Sequence, residues 1–296
     1  MLRGCHGLLL LSHKCQHRLA DEAIARYTSR LLRFFVDRLA DVLSDHGISP
    51  YLLHCVGAIL TSGPPNPGWR LGFHMLSTAS ELNYNPSTLS IAMLVFKINP
   101  AKVEGAMKQD AVRLAFSRFR GLVGQGRDPD ALTLEGLMQA RRGENDAAMR
   151  SFTRAIKASK MSNAVQTPTL VPSVDGDDMN RNSVVRPSRW TWEASCYIEM
   201  GKIFVKRGKR AEGEAAFRVA AEELDMAEAH YEFGQLQPRD SAERLRHLTS
   251  AAGSGHKDAC RALAELELET AQRTGLTKEE ADEHRRRASE WSAIGA

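Results

Sequence analysis

GLMQARRGENDAAMRSFTRA, residues 136–155, and GKIFVKRGKRAEGEAAFRVA, residues 201–220, decide how this sequence folds. Laid over one another they share glycine, glycine, phenylalanine and alanine: Gly136, Gly143, Phe152 and Ala155 in the first, Gly201, Gly208, Phe217 and Ala220 in the second. The separations of 7, 9 and 3 residues are the same in both, and Phe204 adds an aromatic to the second copy. Two packed helices explain the pattern. The first glycine lets them approach closely, the alanine admits a bulky neighbour into ridge-and-groove contact, and the phenylalanine fills the space between.

Outward from these copies the pattern continues. Gly201 to Gly234 is 33 residues, about one period of a helix-pair repeat, and Gly136 to Gly201 is 65, nearly two. Ala251-Ala252-x-x-Gly255-His256-x-x-Ala259 matches the grammar of Ala220-Ala221 leading to Ala229 and Phe233-Gly234, with weaker copies at residues 125–136 and 78–92. Between the two strong copies, residues 163–188 hold Pro168, Pro172 and Pro187 and no helical periodicity, which reads as a flexible insertion. Helices are expected at about 20–44, 49–61, 69–82, 87–98, 104–124, 129–141, 145–160, 190–207, 210–224, 227–236, 241–254, 257–273 and 277–293. Breakers such as Asn99-Pro100, Asp128-Pro129, Gly143, Gly208 and Gln237-Pro238 fall between them.

The spacing resembles the tetratricopeptide repeat, and the Ala-Ala-x-x-Gly-His-x-x-Ala junction resembles its relative, the Sel1-like repeat. The resemblance covers roughly residues 47–292 and is strongest from 128 to 268. It implies an all-α fold, an α-solenoid of stacked antiparallel helix pairs in which no pair is stable alone. The division that follows is a basic segment at 1–46, N-terminal repeats at 47–162, the insertion at 163–188 and C-terminal repeats at 189–296. In such arrays the first helix of each pair lines a concave groove. That implication places Leu137 and Arg141, Lys202 and Lys206, and Tyr231 and Gln235 on the binding face. Lys202 and Lys206 stand i,i+4, a like-charge pair for which an acidic partner would compensate. The Lys/Asn clamp that some of these repeats use for a chaperone's C-terminal carboxylate is not matched, because Leu137 stands where the clamp needs Asn. Trp190 and Trp192, just after the insertion, are read as core packing or as anchors for a partner.

Composition agrees with helix. Among 296 residues, 43% are hydrophobic and 26% charged, mean hydropathy is −0.35, and no run approaches the ~20 apolar residues of a membrane span. A net charge of +4 and a pI near 8.8 permit nucleic acid without implying it. Residues 1–20 carry Arg3, Lys14 and Arg18 and no acid, resembling a mitochondrial presequence, although Asp21 and Glu22 follow closely and an ordered first helix of a cytosolic protein is the alternative. The five cysteines form no C-x-x-C pair. His13-x-x-x-His17 has metal-binding spacing but lacks a third ligand nearby. Gly121-x-x-Gly124-x-Gly126 follows a helix and lacks the Lys-Ser/Thr of a phosphate loop. His54-Cys55 falls inside a packed helix face, and His256 reads as a turn residue between helices.

No catalytic set, metal or cofactor is expected from these residues. The leading expectation is a non-enzymatic scaffold or adaptor that binds a protein or peptide in its groove, in mitochondria, as an assembly or maturation factor. RNA binding by a helical solenoid is the alternative, separable by a continuous basic stripe with exposed aromatics on the groove. An enzyme within residues 1–125, the part least like the repeats, would show a deep pocket with convergent polar groups.

Overall fold

A computed structural model describes residues 49–62, 68–98, 100–163 and 185–296. The expected helix at 20–44, the basic start with His13 and His17, and most of the 163–188 insertion lie outside the described residues. Among the described residues the regular elements are all helical. They form two compact units, one ending at Gly121 and the other beginning at Leu122.

The first unit contains α1 (Pro50–Thr61), α2 (Trp69–Glu81), α3 (Asn85–Lys97), α4 (Pro100–Met107) and most of α5 (Asp110–Gln125). Ser49 caps α1 by accepting from Leu52 N at 3.2 Å, with Pro50 at the first helical position where its missing N–H costs nothing. α1 and α2 pack backbone against backbone. A Cβ on Gly72 would lie 2.9 Å from the carbonyl oxygen of Gly57, and one on Gly57 would lie 2.9 Å from that of Gly72. Leu76, Ile91 and Ala115 then close a core over α2, α3 and α5. The helix expected at 104–124 is two helices. Lys108 and Gln109 close tight i→i+3 turns onto Gly105 and Ala106, and Asp110 opens a new helix, without a proline or glycine at the break to announce it.

The second unit contains α6 (Pro129–Arg141), α7 (Asn145–Asn163), α8 (Glu193–Lys206), α9 (Arg210–Arg218), a π-helical turn at Val219–Glu223, α10 (Ala227–Leu236), α11 (Ala242–Gly253), α12 (Lys257–Ala271) and α13 (Lys278–Gly295). They pair as α6/α7, α8/α9, α10/α11 and α12/α13, and each pair packs on the next. The all-α solenoid of paired antiparallel helices expected from the sequence is what forms. The matched residues occupy matched places. A Cβ on Gly136 would lie 2.6 Å from Cδ1 of Phe152, and one on Gly201 2.6 Å from Cε1 of Phe217, with both rings fully buried. Gly143 and Gly208 end α6 and α8 at φ +81° and +74°, a conformation that glycine adopts without a Cβ penalty. The following amides close the same turn: Glu144 N donates to Gln139 O at 2.9 Å and Lys209 N to Phe204 O at 3.0 Å. The junction at Gly255-His256 repeats it, with His256 N donating to Ala251 O at 3.0 Å. His256 is the turn residue expected of it and caps α12, its Nδ1 accepting from Ala259 N.

Candidate partner-binding face

The first helices of the pairs, α6, α8, α10 and α12, supply the face that the sequence nominates. Lys202, on α8, extends its ammonium between Glu199 Oε1 at 3.2 Å and Glu228 Oε1 on α10 at 2.6 Å. Burial works against that charge, but the two carboxylates outweigh it and hold the ammonium above the usual lysine range. Tyr231 stacks on the His256 ring with centroids 4.6 Å apart and planes 20° from parallel, and its phenol meets the Gln235 side chain. Gln235 Oε1 accepts from Arg244 at 3.1 Å. Three of the nominated residues, Lys202, Tyr231 and Gln235, therefore share one continuous surface.

Leu137 does not join them there. Leu137 is buried among its neighbours on α6, where Ala131, Leu132, Thr133, Leu134, Gly136 and Met138 are buried as well. A helix enclosed on most sides has little surface to offer a partner. Arg141 and Lys206 are exposed in the last turns of α6 and α8, where a cation complements the carbonyl end of the helix.

The electrostatics of the face are acidic around its aromatic centre. Burial raises the Glu232 carboxyl, with Glu228 and Glu199 adding to the rise against the pull of Lys202 and His256. Burial likewise raises the Tyr231 phenol, followed by the fields of Asp258, Glu232 and Glu265.

Two further clusters escaped the sequence. One fixes the segment before α8. Arg186 donates to Glu193 through two nitrogens, at 3.0 and 2.9 Å, and to Glu223 at 2.8 Å. Glu193 is fully buried and also accepts from Arg189 N. The Trp190 indole donates to Thr133 at 3.0 Å from a buried site, so this tryptophan belongs to the core, while the amides of Thr191 and Trp192 donate to Asp130. Asp130 is held above the usual carboxylate range by burial, which those amide bonds oppose. No spacing rule links Arg186 to Glu223, so the cluster was illegible.

The second cluster is a buried histidine pair. His230 and His247 face each other Nδ1 to Nδ1 at 2.8 Å, and His230 Nε2 meets Asp225 Oδ1 at 3.1 Å. Burial, then the nearby Arg246 guanidinium and His230, push the His247 imidazole down to about 4. As for covalent chemistry, the Cys196 thiol is pushed up to about 12, chiefly by burial, and is inert as a nucleophile. Among the described residues no nucleophile, base and charge-stabilising group converge on one point.

A crystal structure of a Sel1 repeat protein from Oxalobacter formigenes superposes with a TM-score of 0.53, covering 90% of this chain and 99% of that one at 16% identity. The chain has the Sel1-repeat fold. At that identity the likeness speaks for architecture alone. No protein-family model matches the sequence. No curated protein matches it either. Among the described residues no helix is long and apolar enough to cross a membrane.

Proposed function

We propose that this chain is a non-enzymatic adaptor whose first helices α8, α10 and α12 hold a protein partner through a basic segment. One observation carries the reading. The stacked Tyr231–His256 pair offers an aromatic platform, and Glu199, Glu228, Glu232, Asp258 and Glu265 surround it. Aromatic side chains flanked by fixed charge are what interface centres are built from. An arginine or lysine of the partner would find both a ring face and carboxylates there.

The expectation of an acidic partner rested on Lys202 and Lys206 needing compensation. Glu199 and Glu228 compensate Lys202 from within the chain, which removes that reason. The same carboxylates weigh against RNA, whose phosphates bind through clustered Lys and Arg. The basic, acid-poor residues 1–20 support a mitochondrial address for the adaptor.

Proximity labelling in cells, comparing the wild-type chain with Glu228→Lys/Glu232→Lys, tests the reading. Protein neighbours with basic segments should be recovered by the wild type and lost by the variant. Recovery of RNA in place of protein, or neighbours unchanged by charge reversal, would overturn it. N-terminal sequencing of the mature chain tests the address.

A further inference from the structure

The second helices of the same unit carry a group of side chains that the adaptor reading does not use. Glu222 stands in the π-helical turn that ends the α9 helix, and Glu243 and His247 stand one helical turn apart on α11. One ligand atom from each lies within 4.8 Å of the others, and His247 Nε2 is 3.7 Å from Glu222 Oε1. Single π turns inside α-helices recur at functional sites because they re-aim one side chain. Here the turn directs Glu222 toward the neighbouring repeat.

The protons in this cluster can be placed by elimination. Arg246 can only donate, and its Nη2 lies 3.0 Å from both His247 Nε2 and Glu222 Oε1. Nε2 of His247 is therefore bare, and its ring proton sits on Nδ1. That proton is donated to His230 Nδ1, which places the His230 proton on Nε2, facing Asp225. The result is an Asp225–His230–His247 relay that fixes ring orientation and tautomer, the outer arrangement that metal-ligating histidines use. The Phe233 ring, edge-on at 4.6 Å, holds the His247 imidazole from another side.

We propose that Glu222, Glu243 and His247 bind a divalent transition-metal ion of the zinc type, through one oxygen of each glutamate and Nε2 of His247, with water completing the shell. Ligand atoms about 2.0–2.2 Å from a tetrahedral ion lie roughly 3.3–3.6 Å from one another, so His247 and Glu222 are almost in place. Glu243 is exposed and free to close the remaining gap. The position already selects for positive charge, since the Arg246 guanidinium occupies it. That side chain is itself more than half exposed, and an exposed ion pair is cheap to give up. A mixed imidazole and carboxylate set suits zinc better than magnesium or calcium, which take oxygen ligands alone. The ion would tie the π turn of one repeat to the second helix of the next.

Isothermal titration of the chelator-stripped full chain with Zn2+, backed by the visible absorption of the Co2+ form, tests this. Wild type should take up the ion at this site, Glu243→Gln should bind about tenfold more weakly or worse, and Arg246→Ala should bind several-fold more tightly because the internal competitor is gone. Both substitutions are at exposed positions, and matching circular dichroism spectra would show the fold intact. Metal held by other residues would be insensitive to both changes. Absence of binding by wild type, or affinity unchanged in Glu243→Gln, overturns the proposal.

Discussion

The α1/α2 hairpin and the α8/α9 hairpin bring two helices to the same close approach with different residues. In the first, Gly57 and Gly72 oppose each other, and each glycine's missing Cβ makes room for the other's carbonyl oxygen. In the second, Gly201 makes room for the ring of Phe217. Contact between two backbones leaves only a pair of glycines in the sequence. Contact between a backbone and a ring leaves a glycine, a phenylalanine and a fixed spacing, which is why residues 136–155 and 201–220 could be aligned and residues 50–81 could not.

The difference can be broken from either side. Phe217→Ala should have the largest effect, about 3–5 kcal/mol, since a fully buried ring is replaced by a cavity between α8 and α9. Urea denaturation would read it, and a cost near zero would mean that the ring is not the filler the spacing implies. Gly72→Ala should come next, about 1–3 kcal/mol, because the added methyl meets Leu60 Cβ at 2.7 Å and a backbone oxygen that no rotamer change can move. Helix propensity returns up to about 1 kcal/mol of that loss.

Gly201→Ala sharpens the comparison. The three atoms nearest its methyl all belong to the Phe217 ring, so trimming the ring should relieve the clash, and Gly201→Ala/Phe217→Leu should be less destabilised than the two single changes summed. No substitution at one neighbouring side chain should rescue Gly72→Ala in this way. Strict additivity in the Gly201/Phe217 cycle would remove the distinction between the two hairpins.

Helices were legible where a turn residue marks their ends. Gly143, Gly208 and Pro129 announce theirs, whereas the break at Lys108–Gln109 has no such residue and the periodicity over 104–124 runs across it. The candidate face was legible in part. Lys202, Tyr231 and Gln235 meet on it, but Leu137 has the register of a face residue and is enclosed, because burial depends on what packs against α6 and not on its own periodicity. Val123, nine residues earlier in the chain than Leu132, is one of the residues that packs there. Long-range pairs such as Arg186 with Glu223 and His230 with His247 are products of stacking, and stacking distances are not written in any local pattern.

The smallest effect is one of reactivity. Cys55 lies on α1 and is partly exposed, whereas Cys196 on α8 and Cys260 on α12 are fully buried. Burial has also pushed the Cys196 thiol up to about 12, so the reactive thiolate is scarce near neutral pH even when reagent reaches it. Brief alkylation of the native protein, followed by peptide mass spectrometry, should label Cys55 well before Cys196 or Cys260, and Phe152→Ala, which loosens α7 beside the Cys196 thiol, should narrow the gap at Cys196. The Cys196 thiol lies 4.0 Å from Phe152 O, against the preceding helix pair, so early labelling of Cys196 in the wild type would show that α8 parts from α7 without the whole array unfolding.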